Sequence, residues 1–209
     1  MVWSNKVMIV LDKILSIIYL NVLWIIGTIL GLGVGGVFPA TYALYHLLKD
    51  GEIFNDFPSF RKLAQAFFCA YKRKFLSING VGLIYAVVLY MLWIDFQLVK
   101  GMTVGAAFFY YPVLFFITYI LATIIYTFPV SVYTEGTFKQ KAKAVLLLPL
   151  LLPFQTVFSL TFFLVLSMIA YRFSIFLPLF FISTYFICID RFIKRELTKK
   201  GIIKGGTDE

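Results

Sequence analysis

The sequence predicts an all-α fold: a polytopic membrane helix bundle of about five transmembrane helices plus an amphipathic cytoplasmic helix. Three observations predict it. Hydrophobic residues make up 61% of the 209, where soluble domains hold ~45–50%. Charged residues are 14%, against a usual ~25%. The charges are also confined to short segments, which leaves 14–48, 75–94, 101–134, 144–171 and 173–189 without Asp, Glu, Lys or Arg. A chain this small needs polar cover in water. A soluble enzyme, a disordered tail and a secreted disulfide scaffold are therefore excluded.

A spanning helix needs ~20 mostly apolar residues, and each uncharged stretch supplies one. The spans fall at about 14–36, 75–95, 110–132, 146–168 and 173–190. A barrel would need ~10-residue units of alternating polarity, and none occur. Of the 19 Lys and Arg, fifteen lie in 37–74, 133–145 and the tail, and four (Lys6, Lys13, Lys100 and Arg172) lie on the other side. The positive-inside rule then places the N-terminus outside and the C-terminus in the cytoplasm. The alternative is a four-span variant. In it Trp3, Val7, Val10, Leu11 and Ile14 lie along the interface, with orientation unchanged unless the first apolar run is re-entrant. No cleavable signal peptide is visible, and the first helix reads as an uncleaved anchor.

Helix one ends in a glycine run. Gly27, Gly31 and Gly35 are four apart and are expected to share one face, where small residues let a second backbone approach. Packing within the molecule, a homodimer seam and a backbone-lined substrate site are the open readings. Pro39 suits the first turn of a short helix over about 40–48. Turns follow at 50–52 and 55–58, and Ser59 can cap the next helix. There Phe60, Leu63, Ala64, Phe67, Phe68, Tyr71 and Phe75 make one apolar face at helical spacing. The segment 37–74 therefore reads as cytoplasmic. Its last turn, Lys72-Arg73-Lys74, sits at the headgroups, where anionic lipid attracts each cation by ~1 kcal/mol. Interfacial anchoring is favoured over partner docking. Pro129, Pro149, Pro153 and Pro178 predict bent helices, and the end at 205–209 reads as frayed.

Chemistry is sparse. His46 is the single histidine, and neither Cys69 nor Cys188 has a CxxC partner. No phosphate loop, HExxH or GxSxG occurs. The expectation is no enzyme, no catalytic residue, no cofactor, no metal and no nucleic acid. The spans hold no ionisable residue except Asp95 and Asp190 at their ends, whereas ion-coupled carriers often place such residues inside. Leu148-Pro-Leu-Leu-Leu-Pro153 is similar to the end of a sugar-importer permease coupling loop. The preceding Glu-Ala-Ala and the fixed Gly of that motif are absent.

Tyr19-Leu-Asn21-Val-Leu-Trp24, the glycine run, Gly36-Val-Phe38-Pro39-Ala40-Thr41, Gly51-Glu52, the Tyr71/Phe75 basic junction and Phe128-Pro-Val130 occur in this order. Together they resemble the bacterial YesL-like proteins, small membrane proteins without an assigned activity, over nearly the whole chain. The resemblance implies a five-helix or similar membrane protein beside carbohydrate ABC importers and polysaccharide-degrading enzymes. Ser131-Val-Tyr-Thr134 replaces a His-bearing continuation, so no role for that His carries over. The expected function is a non-catalytic accessory factor in carbohydrate uptake. The lipid bilayer, ABC importer subunits and a homo-oligomer are its possible partners. The alternative is a small oligomeric transporter or channel for a sugar or other uncharged solute.

Overall fold

A computed structural model describes residues 2–49, 59–102, 106–173 and 180–201. These residues form seven helices: α1 (Val2–Leu30), α2 (Val34–Lys49), α3 (Phe60–Lys100), α4 (Ala106–Tyr133), α5 (Phe138–Leu151), α6 (Pro153–Arg172) and α7 (Ile182–Lys199). Four helical segments are long and apolar enough to cross a membrane: Leu11–Leu30, Phe60–Lys100, Phe108–Tyr133 and Pro153–Arg172. The turns expected at 50–58, Pro178 and the tail at 205–209 lie outside the described residues.

The first expected span, 14–36, is divided in two. α1 stops at Leu30, and the chain reverses through a tight turn. Leu32 (φ 57°) and Gly33 (φ 77°) take left-handed backbone. The N–H of Gly33 donates to Thr28 O at 2.9 Å and that of Leu32 to Ile29 O at 3.0 Å, which satisfies carbonyls left open at a helix end. α2 then runs back along α1. The expected short helix at 40–48 is thus the end of a longer one. Pro39 falls on its sixth residue rather than in its first turn.

α3 is one continuous helix of 41 residues, about 60 Å long at 1.5 Å per residue. Ser59 stands at its N-cap position but makes no side-chain cap hydrogen bond. The predicted apolar face is real, yet it meets protein. Leu63, Phe67 and Tyr71 are buried with Leu20, Leu23, Ala40 and Leu44 of α1 and α2, and Phe67 is 0% exposed. This corrects the interfacial reading, because α1 and α2 cover the aromatic stripe that lipid was expected to cover.

Two contacts advance in step along α1 and α3, and a third follows from the start of α2. Tyr19 Oη donates to Phe60 O (2.7 Å), Tyr71 Oη to Gly27 O (2.9 Å) and Asn79 Nδ2 to Gly35 O (2.8 Å). α1 therefore runs parallel to the start of α3, and its N-terminal end lies at the Phe60 end of that long helix. α4 returns antiparallel to the second half of α3, joined by the Tyr85–Thr127 hydroxyl pair (2.8 Å) and the Phe96–Tyr110 ring contact.

The expected span 146–168 is also broken. α5 starts from a capping box between Thr137 and Gln140 and ends at Leu151, with Leu152 as its C-cap. Pro153, which has no N–H to give, opens α6. The expected fifth span, 173–190, is not among the four apolar helices. Residues 174–179 of it are undescribed, and α7 carries charged Asp190, Arg191, Lys194 and Arg195 within its 18 residues. α7 is amphipathic, burying Tyr185, Ile189, Ile193 and Leu197 against α4, α5 and α6. Phe186 packs against all three clusters of the core.

Candidate functional site

Two places concentrate polar and special-backbone residues: the joint where α1, α2, α3 and α7 meet, and a cleft between α3, α4 and α5.

At the joint, backbones approach closely in lipid-compatible fashion. A Cβ on Gly27 would lie 3.1 Å from the Phe67 ring and 3.2 Å from Ala40 Cβ. One on Gly31 would stand 2.5 Å from Gly36 N and 2.7 Å from Tyr71 Oη. One on Gly36 would stand 2.6 Å from Thr28 Cα and 2.7 Å from Gly27 O. Gly35 has nothing within 4 Å of such an atom. The three glycines expected on one face thus lie on two helices and their turn. The close approach belongs to Gly27, Gly31 and Gly36, because the reversal at Leu32–Gly33 rotates Gly35 away. The i, i+4 spacing carried no sign of that turn.

The motif residues converge here. Asn21, 0% exposed, accepts with Oδ1 from the N–H groups of Ile182 (3.1 Å) and Ser183 (3.0 Å). A side chain of α1 thereby caps α7, whose own N-cap position, Phe181, offers no side-chain hydrogen bond. Trp24 Nε1 donates to Thr41 Oγ1 at 3.0 Å, and Thr41 donates to Val37 O at 2.8 Å. Phe38 lies against Gly82, whose added Cβ would come within 3.0 Å of the ring, and against Phe128. Pro39 has no N–H for Gly35 O, four residues back, and Asn79 supplies the missing donor. Ala40 is fully buried. These side chains assemble a joint; they do not surround a reacting centre.

The cleft has a volume of about 500 Å³. Its polar end holds Lys74 and Ser77 of α3, Ser131 of α4 and Lys141 of α5. Lys141 Nζ donates to Ser131 O at 3.1 Å. Burial lowers the Lys141 pKa first, and the nearby Lys74 and Lys49 lower it further, against a smaller pull from Glu135. Of the three basic residues expected to meet lipid, Lys74 thus turns to this cleft. Lys72 borders a shallow groove with Arg61, Gln65 and Cys69 instead. Arg73 is exposed near Tyr42. Sequence reasoning missed Lys141. The visible cue was the run of three lysines at 139, 141 and 143 opening an otherwise apolar segment.

Asp190 is 5% exposed and accepts from Tyr133 Oη at 2.7 Å. Burial raises its pKa from 3.8 to about 6, against lowering by Tyr133, Lys194 and Arg191. A carboxyl whose folded pKa is raised contributes stability below its unfolded pKa and loses it as pH climbs through the folded value. The wild-type chain in detergent is therefore expected to lose stability between about pH 4 and 6, by at most ~3 kcal/mol from this group. Asp190→Asn is expected to flatten that loss and to raise the unfolding temperature at pH 7.5. Thermal unfolding of both proteins at pH 4.5, 6 and 7.5 checks it; parallel curves would refute it.

His46 is half-buried beside Tyr42. Cys69 and Cys188 are free thiols. Among the described residues no group of three His, Cys, Asp or Glu side chains is placed to hold a metal.

Comparison with known proteins places this architecture beside a family without an assigned role. Residues 17–96, from mid-α1 through most of α3, match the family described as "Protein of unknown function, DUF624". The chain is also similar to the "Uncharacterized protein YteU" of Bacillus subtilis (strain 168), at 27% identity over 140 residues, or 66% of this chain. The chain spans 60% of the length of that relative. No solved structure matches it. The matched stretch contains the α1–α2 turn, all six motif residues and the basic junction, so the similarity is to the part of the chain that builds the joint.

Proposed function

We propose that this chain is a non-catalytic membrane accessory protein that works through its cytoplasmic end, in the setting of carbohydrate uptake. One observation carries the reading. α3 is about 60 Å long, twice the ~30 Å hydrocarbon thickness. About half of it extends beyond the bilayer at the end carrying Arg61, Lys62, Lys72, Arg73 and Lys74. α1 and α2 pack against that half, which makes it a built module with an exposed polar face. The YesL-like resemblance in the sequence is what supports the importer setting and an importer subunit as partner.

In this reading both termini are cytoplasmic, the last crossing being the uncharged stretch expected at 173–189, which revises the expectation of an outside N-terminus. The basic end of α3 belongs inside by the positive-inside rule, and α1 starts at that same end. The α1–α2 hairpin then enters from the cytoplasm and turns back at the glycines. Its tip exposes Leu32 (94%) and Val34 (87%), side chains at home in lipid. Lys6 and Lys13 move inside, and Lys100 and Arg172 are left outside. An epitope tag before Met1 is expected to resist protease on intact cells and to be cut after permeabilisation. A cysteine at Gly101, in a Cys69→Ser, Cys188→Ser background, is expected to react with an impermeant maleimide on intact cells. Cleavage of the tag on intact cells would restore the outside N-terminus.

The accessory role is tested by reconstitution. Proteoliposomes holding this chain alone are expected to pass no sugar, and co-expression with the importer is expected to yield a complex that charge reversal at Arg61 and Lys72 dissolves. Flux through the chain alone would favour the small oligomeric transporter instead.

A further inference from the structure

The cleft between α3, α4 and α5 is polar and cationic at one end and mostly apolar along the rest, where the hydroxyls of Tyr85 and Thr127 are bonded to each other. Lys74 and Lys141 face it beside Ser77 and Ser131. They reach it from different helices; among the described residues neither forms an ion pair with a carboxylate, and Glu135 acts on Lys141 only from beyond ion-pair distance. Two ammonium groups held on one cavity call for an anion between them. From there Val81, Ile84 and Val88 continue one stripe of α3, opposite Ile120 and Leu146. From Lys74 to Val88 the stripe is about 21 Å long at 1.5 Å per residue. That is one headgroup plus one leaflet of a bilayer whose hydrocarbon is ~30 Å thick. Charge at the interface and an apolar groove of leaflet depth describe one kind of occupant.

We propose that this cleft binds an anionic glycerophospholipid, its phosphate between Lys74 and Lys141 and one acyl chain along Val81–Val88. Basic pockets between membrane helices suit such headgroups. The phosphate also relieves the repulsion between the two lysines, and so ties α5 to α3 across the cleft. By the orientation proposed above this lipid belongs to the inner leaflet, and that placement rests on that reading. The site itself does not, and detergent has no sidedness, so failure of one is distinguishable from failure of the other.

The test is native mass spectrometry of the purified full chain with equimolar phosphatidylglycerol and phosphatidylcholine of identical chains. The wild type is expected to retain the anionic lipid about tenfold over the neutral one, from two cations acting together. Lys74→Gln with Lys141→Gln is expected to bring the ratio to about one, while Lys139→Gln with Lys143→Gln, exposed lysines that do not line the cleft, leaves it unchanged. A wild-type ratio near one, or equal loss in both pairs, would overturn the site in favour of a diffuse basic belt. Should the first pair fail to fold, two measurements still decide. Val88→Trp, which fills the groove, is expected to lower retention, and millimolar glycerophosphoglycerol is expected not to displace the lipid from the wild type. Displacement by that chainless headgroup would mean the groove holds no acyl chain.

Discussion

Gly36→Ala is expected to be the most damaging single-methyl change in the protein, and Gly35→Ala, one residue away, nearly harmless. The added carbon on Gly36 meets Thr28 Cα and Gly27 O, both backbone atoms of α1. Backbone cannot swing aside as a side chain does, so the two helices must separate along their crossing. Separation loosens Trp24 from Thr41 and Gly27 from Phe67 and Ala40 as well. Overpacking of this kind costs about 3 kcal/mol or more. Gly31→Ala is expected to behave alike, because its Cβ would meet the backbone of Gly36 and the Tyr71 hydroxyl. Gly35 has open space, helical backbone and an unaltered carbonyl for Asn79. Alanine there loses less entropy on folding and is expected to be neutral or stabilising by up to ~1 kcal/mol. Unfolding temperatures of the three variants in one detergent decide the matter. Equal losses at 35 and 36 would mean that the hairpin turn is misplaced.

Asn21→Leu is expected to detach the start of α7. The substitution keeps the branched skeleton, with bulkier methyl ends, but removes the acceptor for the N–H groups of Ile182 and Ser183. Each buried donor left without a partner costs about 1–3 kcal/mol, so a loss of about 3 kcal/mol is expected. Asn21→Asp keeps an acceptor at a helix N-terminus, where negative charge is favourable, but buries that charge. It is expected to fall between the wild type and Leu. The specific readout is hydrogen exchange. The amides of Ile182 and Ser183 are expected to lose protection in Asn21→Leu, while those around Ala43 and Phe67 keep theirs. Uniform loss across the chain would mean that Asn21 supports α1 and α2 themselves and has no particular hold on α7.

The joint was partly legible. Asn21, Trp24, Phe38, Pro39, Ala40 and Thr41 stood out together as a motif, but nothing local told that Asn21 reaches a helix 161 residues away. Lone asparagines in apolar helices carry no label of their partner. Pro39 read as a helix start, since proline is easiest there. It sits deeper because Asn79 supplies the donor that proline lacks. The cleft was less legible still: Lys74 and Lys141 are far apart in sequence, and only folding brings cations from α3 and α5 to one cavity.

The sequence by itself determined that this is a helical membrane protein. Hydrophobicity and helical periodicity are sums over neighbouring residues, and neighbours are what a sequence lists in order. It also determined the apolar stripe of α3 at Leu63, Phe67 and Tyr71, by the same periodicity. The tertiary structure decided what covers that stripe, where α1 stops and which way it points. Those depend on a reversal of a few residues at Leu32–Gly33, stabilised by contacts between Gly31, Gly36 and Tyr71 that lie across helices. A glycine run of uniform hydropathy is compatible with one long span or with a hairpin. The packing free energy of the second and third helices against the first selects the hairpin.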